Sequence, residues 1–348
     1  MGIIAKTRKW SFSALSTLRR CTRMYFFQYI AATHGFANPF RRRVFELKKS
    51  KNLVMWRGSI VDKIMELEVM PSIKAKQKVD FESLAESAVA LAQRQYQFSK
   101  SGLYAVKGNS EKKIGADYCV LDVHLLNKTY SEQQIEDVYT SIRQIIIGIP
   151  TIMMPDGKSL LEFLFSASLI VPNMGKWSFK FENLFIKPQL DLFMIVNDKL
   201  VVLDWKVSES DVSDYSRQLV IGGITVFDVY RKKTMQGGRK YTFDDIRLIE
   251  VNLFKKTAKE HLFNQQVVNE CIDFIYLNGE DISLLTRDQS FDNLDINDFP
   301  ITDKETTCMF CKFRMVCIEK LTSKYESNKA KHNNAVQDQK SEQLKLFF

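Results

Sequence analysis

Apolar and polar positions along the chain change their period once. Ser and Thr hydroxyls open residues 11–30, and mixed basic and aromatic residues follow, which predicts a capped helix carrying Cys21. A second helix is predicted over 58–69. Residues 81–99 and 131–147 are rich in helix formers, with apolar side chains three and four apart in the first, and both are predicted helical. They make a helical insert over 70–160. From about residue 160 the pattern shifts to short β-rich runs, LFSASLIV, WSFKFENLFI, LDLFMIV and KLVVLDW, divided by turn residues such as Pro172-Asn173 and Asn197-Asp198. A helix over 214–231, a strand over 245–254 and a helix over 257–277 follow. The expectation is an α/β protein in which residues 1–320 fold together around a core at 160–280. After Cys317 the chain becomes polar, which predicts a disordered tail over 321–348 ending abruptly in LKLFF.

The length of 348 residues allows one decorated domain or two ordinary ones. With 45% hydrophobic and 26% charged residues, and no long uncharged apolar run, the composition excludes a membrane-integrated chain. The first residues lack the pattern of a secretory leader, so a cytoplasmic protein with reduced thiols is expected. Its six cysteines are then metal ligands or core residues rather than disulfides. Fifty basic against forty-one acidic residues leave +9, which suits a polyanionic partner. Basic residues cluster at Arg41, Arg42, Arg43, Lys48, Lys49 and Lys51, and again at Arg231, Lys232, Lys233, Arg239 and Lys240. Solvated surface is the commoner meaning of such runs, but two of them flanking the chemistry below favour contact with a phosphate backbone.

Asp204 and Lys206 lie two apart in VVLDWK, and the period of a strand puts them on one face. A carboxylate at the end of so apolar a strand needs compensation beyond one lysine. Asp191, in the preceding run, stands across the predicted hairpin, giving two hard oxygen ligands of the kind Mg²⁺ or Mn²⁺ prefers. Two acids and a lysine suffice for phosphodiester hydrolysis. An ordinary ion pair at a strand end is the plainer reading of Asp204 and Lys206 taken alone.

The order of Asp191, hairpin, Asp204-Trp205-Lys206 and then a helix with Gln218 resembles the active-site order of the PD-(D/E)XK nuclease superfamily. More narrowly it resembles the RecB-like and AddB-like branch, which includes the CRISPR adaptation nucleases. The resemblance implies a restriction-endonuclease-like mixed sheet flanked by helices, acting on DNA with Mg²⁺ or Mn²⁺. It implies metal ligation by Asp191 and Asp204, catalysis by Lys206, and DNA positioning or site support by Gln218. The branch carries a G-x-x-x-H element whose histidine binds metal; here Gly58 is followed at the same spacing by Asp62, which the resemblance implies as a third metal ligand, a helix surface acid being the plainer reading. Its Q-x-x-x-Y element reads Gln218 to Gly222, with glycine in place of tyrosine. Glu182 reads as an exposed strand acid.

Cys308, Cys311 and Cys317 form a C-x2-C-x5-C group that lacks a fourth ligand. Four thiolates alone admit either zinc or a four-iron four-sulfur cluster. Iron-sulfur members of the branch place one cysteine before the nuclease core and three after it, which implies Cys21 as the fourth ligand and iron as the metal, clasping the two ends of the fold. Cys119 and Cys271 sit singly in apolar stretches and read as core. None of the four histidines has metal-ligand spacing.

The terminal string at 343–348 is similar to the bacterial sliding-clamp-binding motif, with Gln343, Leu344, Leu346 and Phe347 at its recognition positions. A tail folding back on its own domain is the alternative. The expected function is a DNA nuclease, an exonuclease on single strands or duplex ends, in recombination, repair or phage DNA metabolism. Its rivals are a DNA-binding or clamp-recruited scaffold of the same fold that has lost its chemistry, and a zinc-stapled interaction module.

Overall fold

The computed structural model describes residues 8–33, 38–174, 177–182, 184–209, 215–234, 239–286 and 293–323. The expected clamp motif and disordered tail lie outside the described residues, apart from 321–323, which are helical. Along the chain come β1 (Arg8–Trp10), α1 (Phe12–Arg20), α2 (Thr22–Tyr25), α3 (Pro39–Lys49), α4 (Leu53–Ile64), α5 (Met70–Lys74) and α6 (Phe81–Lys100). Then follow α7 (Glu111–Ile114), α8 (Asp122–Leu125), α9 (Glu132–Gly148), α10 (Leu160–Phe165), β2 (Leu169–Pro172), β3 (Phe179–Phe181), β4 (Leu184–Ile186), β5 (Leu192–Val196) and β6 (Lys199–Lys206). The chain continues through α11 (Ser216–Thr234), β7 (Ile246–Asn252), β8 (Thr257–His261), α12 (Gln265–Thr286) and α13 (Glu305–Met309).

Local chemistry explains the boundaries. Asp80 caps α6 by accepting from the amides of Glu82 and Ser83, and Ser131 with Gln134 closes a reciprocal capping box on α9. Asn52 accepts from the Met55 amide, so α4 begins five residues before the predicted start and runs on through wider turns to Val69. Several expectations are corrected. The predicted helix over 11–30 is broken at Cys21, whose extended backbone separates α1 from α2. The run LFSASLIV is divided between α10, started by the Ser159–Glu162 capping box, and β2. WSFKFENLFI is two short strands hinged at Glu182, whose φ of 48° lies in the left-handed region. Residues 257–261 form β8 rather than the start of a helix, because they pair antiparallel with β7.

The chain divides into two compact units, one comprising Met1–Ser16 with Lys49–Asp288 and the other Thr17–Lys48 with Gln289–Phe348. The first is a mixed α/β fold with a five-stranded sheet ordered β2-β5-β6-β7-β8 and a small sheet β1-β4-β3. β6 is its central strand, antiparallel to β5 and parallel to β7. The crossover from β6 to β7 runs through α11, as a parallel pair requires. Alternation along β6 sorts the core into two layers. Val201, Leu203 and Trp205 pack with residues of α4, α6, α9 and α10, whereas Leu200 and Val202 pack with residues of α11 and α12. Helices thus cover both faces, and β6 is buried along almost its whole length.

Candidate active site

The register Leu192↔Leu203 brings Asp191, just before β5, beside Asp204 near the end of β6. Asp204, Lys206 and Asp191 share the sheet face of Leu200, Val202 and Phe193, the side covered by α11. Asp204 is 2% exposed and forms an ion pair with Lys206 through Oδ2, an oxygen with no hydrogen bond of regular geometry. Asp191 Oδ2 accepts from the Trp205 backbone amide at 2.9 Å, so the strand that carries Asp204 also fixes Asp191. Lys206 Nζ lies 4.6 Å from the Tyr215 ring centroid.

These charges perturb one another. Burial, followed by repulsion from Asp204 and Asp62, raises the Asp191 carboxyl far above the usual carboxylate range, against the pull of Lys206. Asp62 lies on α4 with an exposed edge; protein crowding its inner side and repulsion from Asp204 push it up to about 6, opposed by Lys206 and Lys51. Burial works against the charge on Lys206, but contact with Asp204 and the nearness of Asp191 raise its pKa overall. The ammonium therefore stays charged at neutral pH.

A cleft of about 270 Å³ opens at this edge, lined by Asp62, Asp191 and Trp205 together with Glu66, Asn173, Lys187 and Gln189. Glu66 was not singled out from the sequence. It sits one helical turn beyond Asp62, and that spacing of four is the signal that could have found it. Asn173 Nδ2 donates to Glu66 Oε1 at 3.1 Å. Lys187 and Gln189 sit in the loop before β5, where no periodic pattern marks them. Gln218 Nε2 donates to the Gln189 carbonyl at 3.1 Å, so it braces the loop leading into Asp191. Gly222 has a packing reason: an added Cβ would lie 2.2 Å from Leu190 Cδ1, leaving no room for a tyrosine on this backbone. Gly58 is less constrained, its nearest neighbour being Val207 Cβ at 3.7 Å. Glu182, at its exposed turn, does not line the cleft.

In the second unit, Cys21, Cys308, Cys311 and Cys317 line one largely apolar cavity of about 250 Å³ with Met24, Phe27, Ile301 and Leu321. Burial raises the thiols of Cys311 and Cys317, and the neighbouring thiols add to it. Cys119 and Cys271 are buried in the core, and burial pushes both thiols up to about 11. Much of the first basic run is internally neutralised: Arg42 pairs with Glu46, Arg43 with Glu319 and Lys49 with Glu111.

Among the described residues, no three His, Cys, Asp or Glu side chains converge closely enough as they stand to hold a metal ion. The donor chemistry nevertheless suits a hard cation, because the carboxylates of Asp62 and Asp191 in the cleft are repelled by the buried Asp204 beside it, whose counter-charge among the described residues is the Lys206 ammonium. The four thiols line one cavity, a donor set that admits either zinc or an iron-sulfur cluster. No described helix is long and apolar enough to cross a membrane. No curated protein matches the sequence. A profile of the PD-(D/E)XK nuclease superfamily matches residues 9–318, nearly the whole described fold, and the chain belongs to that superfamily.

Proposed function

We propose that the protein is a metal-dependent DNA nuclease, working as an exonuclease on single strands or duplex ends. The observation that carries this reading is the grouping of Asp191, Asp204 and Lys206 at one end of β5 and β6, beside an open cleft. Asp62, Asp191 and Asp204 are the residues to hold Mg²⁺ or Mn²⁺, with Glu66 at the mouth. Bound there, the cation supplies an activated water and positive charge against the phosphate. The Trp205 amide holds Asp191 in its orientation, and Gln218 keeps the loop before it in place. Lys206 donates from Nζ to the phosphate oxygens as negative charge grows on them, a role that demands a fixed cation. Packing of Lys206 on Tyr215 limits its freedom and lowers the entropy lost when it engages.

We assign the protein to the iron-sulfur RecB-like and AddB-like branch, with Cys21, Cys308, Cys311 and Cys317 holding a four-iron four-sulfur cluster. Four thiols around one cavity support that reading. The tail residues Gln343, Leu344, Leu346 and Phe347 are proposed to dock on a bacterial sliding clamp, within a cytoplasmic setting of recombination, repair or phage DNA metabolism. The domain division is residues 1–320 for the nuclease and 321–348 for the tether. Deleting 343–348 abolishes clamp capture in a pull-down and leaves cleavage of free DNA intact; loss of both contradicts the tether.

The test of the chemistry is Lys206→Ala. Cleavage should fall at least about 100-fold, the scale for removing one charged transition-state contact. Affinity for DNA in Ca²⁺ should stay within a few-fold. Retained cleavage removes Lys206 from the mechanism, and absence of cleavage in the wild type favours the scaffold reading.

A further inference from the structure

Helices α5 to α10 fill the stretch between α4 and the sheet, and the nuclease chemistry uses none of them. One side of α9 meets the turn that follows β7. Between them lies a cavity of about 480 Å³ lined by Ser141, Arg143, Gln144, Thr151, Phe254 and Lys256. Topology ties this cavity to the catalytic end of the sheet. β6 and β7 are parallel and in register at Lys206↔Asn252, and the Leu253 amide donates to the Lys206 carbonyl at 2.8 Å. The turn carrying Phe254 and Lys256 therefore leaves the sheet at the end where Lys206 stands.

The cavity is built for negative charge. Lys256 is exposed and has no ion pair among the described residues, and Ser141 and Gln144 add polar groups to a lining that also includes Ile145, Ile147 and Gly148. Among the described residues Arg143 pairs with Glu86, a partner 62% exposed, in a surface bridge of the sort worth little and readily exchanged. Behind the wall, Arg57 is 7% exposed, yet its Nε and Nη2 have no hydrogen-bond partner among the described residues. Its Nη1 donates to Glu209 at 2.7 Å and to Ser141 at 3.3 Å, and its guanidinium lies 4.5 Å from the Phe254 ring centroid. A buried cation thus backs the aromatic side chain that faces the cavity.

We propose that this cavity is the track for the sugar-phosphate backbone of a single DNA strand on its way to or from the catalytic cleft. Lys256 and Arg143 take its phosphates, and Phe254 offers a face for a base. Cationic grooves with an aromatic platform hold single strands without reading sequence. The helical segment acquires a role as the wall of the strand path. This rests on the nuclease reading, and the test separates the two.

The probe is a fluorescein-labelled oligo-dT followed by anisotropy in Ca²⁺ across a salt series, with Asp204→Ala as the background so that no cleavage intervenes. Replacing both contacts, Lys256→Glu with Arg143→Ala, should weaken binding at least about ten-fold at low salt. The slope of log affinity against log salt should shrink by about 1.4, two phosphates at about 0.7 each. Glu86→Ala, which frees Arg143, should bind as well as the background or better. A double variant that keeps its melting temperature and binds with unchanged affinity and slope overturns the track. Wild-type protein that cleaves nothing, with the slope still reduced in the variant, overturns the nuclease reading and leaves the track standing.

Discussion

Asp191 keeps its proton far better in the folded protein than in the unfolded chain, where its carboxyl has the ordinary value of 3.8. The folded state then binds more protons than the unfolded state over the interval between the two values, so stability falls as pH rises through it. Asp62, pushed up to about 6, adds a smaller effect of the same sign, screened by its exposed edge. The expected outcome in thermal melts of metal-free protein is a wild type that loses Tm relative to Asp191→Asn between pH 5 and pH 8. Added Mg²⁺ or Mn²⁺ should recover part of that loss in the wild type alone. Parallel curves with and without cation contradict the electrostatic account. At this scale the strand residues Asp191, Asp204 and Lys206 were legible from two-residue spacing and a hairpin. Glu66 and Lys187 were not, because neither belongs to the resembled motif: one lies inside the helix predicted over 58–69 without being singled out there, and the other in an aperiodic loop.

At the scale of elements, the approach of α11 to the loop before β5 sets the site. Leu190 precedes Asp191 and fills the notch left by Gly222. Gly222→Ala should destabilise the protein by about 1–3 kcal/mol, the usual range for overpacking. It should also lower cleavage, since relief of the clash moves the residue next to Asp191. Pairing it with Leu190→Ala should cost less than the sum of the two single changes, as coupled neighbours do; additivity in denaturant unfolding contradicts the contact. The helices α6, α9 and α11 were legible because their caps or amphipathic spacing act locally. α10 and β8 were not. α10 is six residues long, too short for a helical period to show although its Ser159–Glu162 capping box is local, and β8 is decided by pairing with β7.

For the whole molecule, the two compact units carry two separate donor sets, hard oxygens in one and thiols in the other. The C-x2-C-x5-C spacing was legible in the sequence, whereas the gathering of Cys21 with the other three depends on the fold of the second unit. Protein purified without oxygen should be coloured and contain iron and sulfide, and Cys311→Ser should lose much of both. Colourless protein holding zinc contradicts the cluster. The central claim is the metal-dependent site at the end of β5 and β6. The direct test compares wild type with Asp204→Ala on single- and double-stranded DNA in Mn²⁺ or Mg²⁺, with chelated controls. The account predicts cleavage by the wild type that disappears in the variant and on chelation. Equal cleavage by both, or none by either, contradicts it.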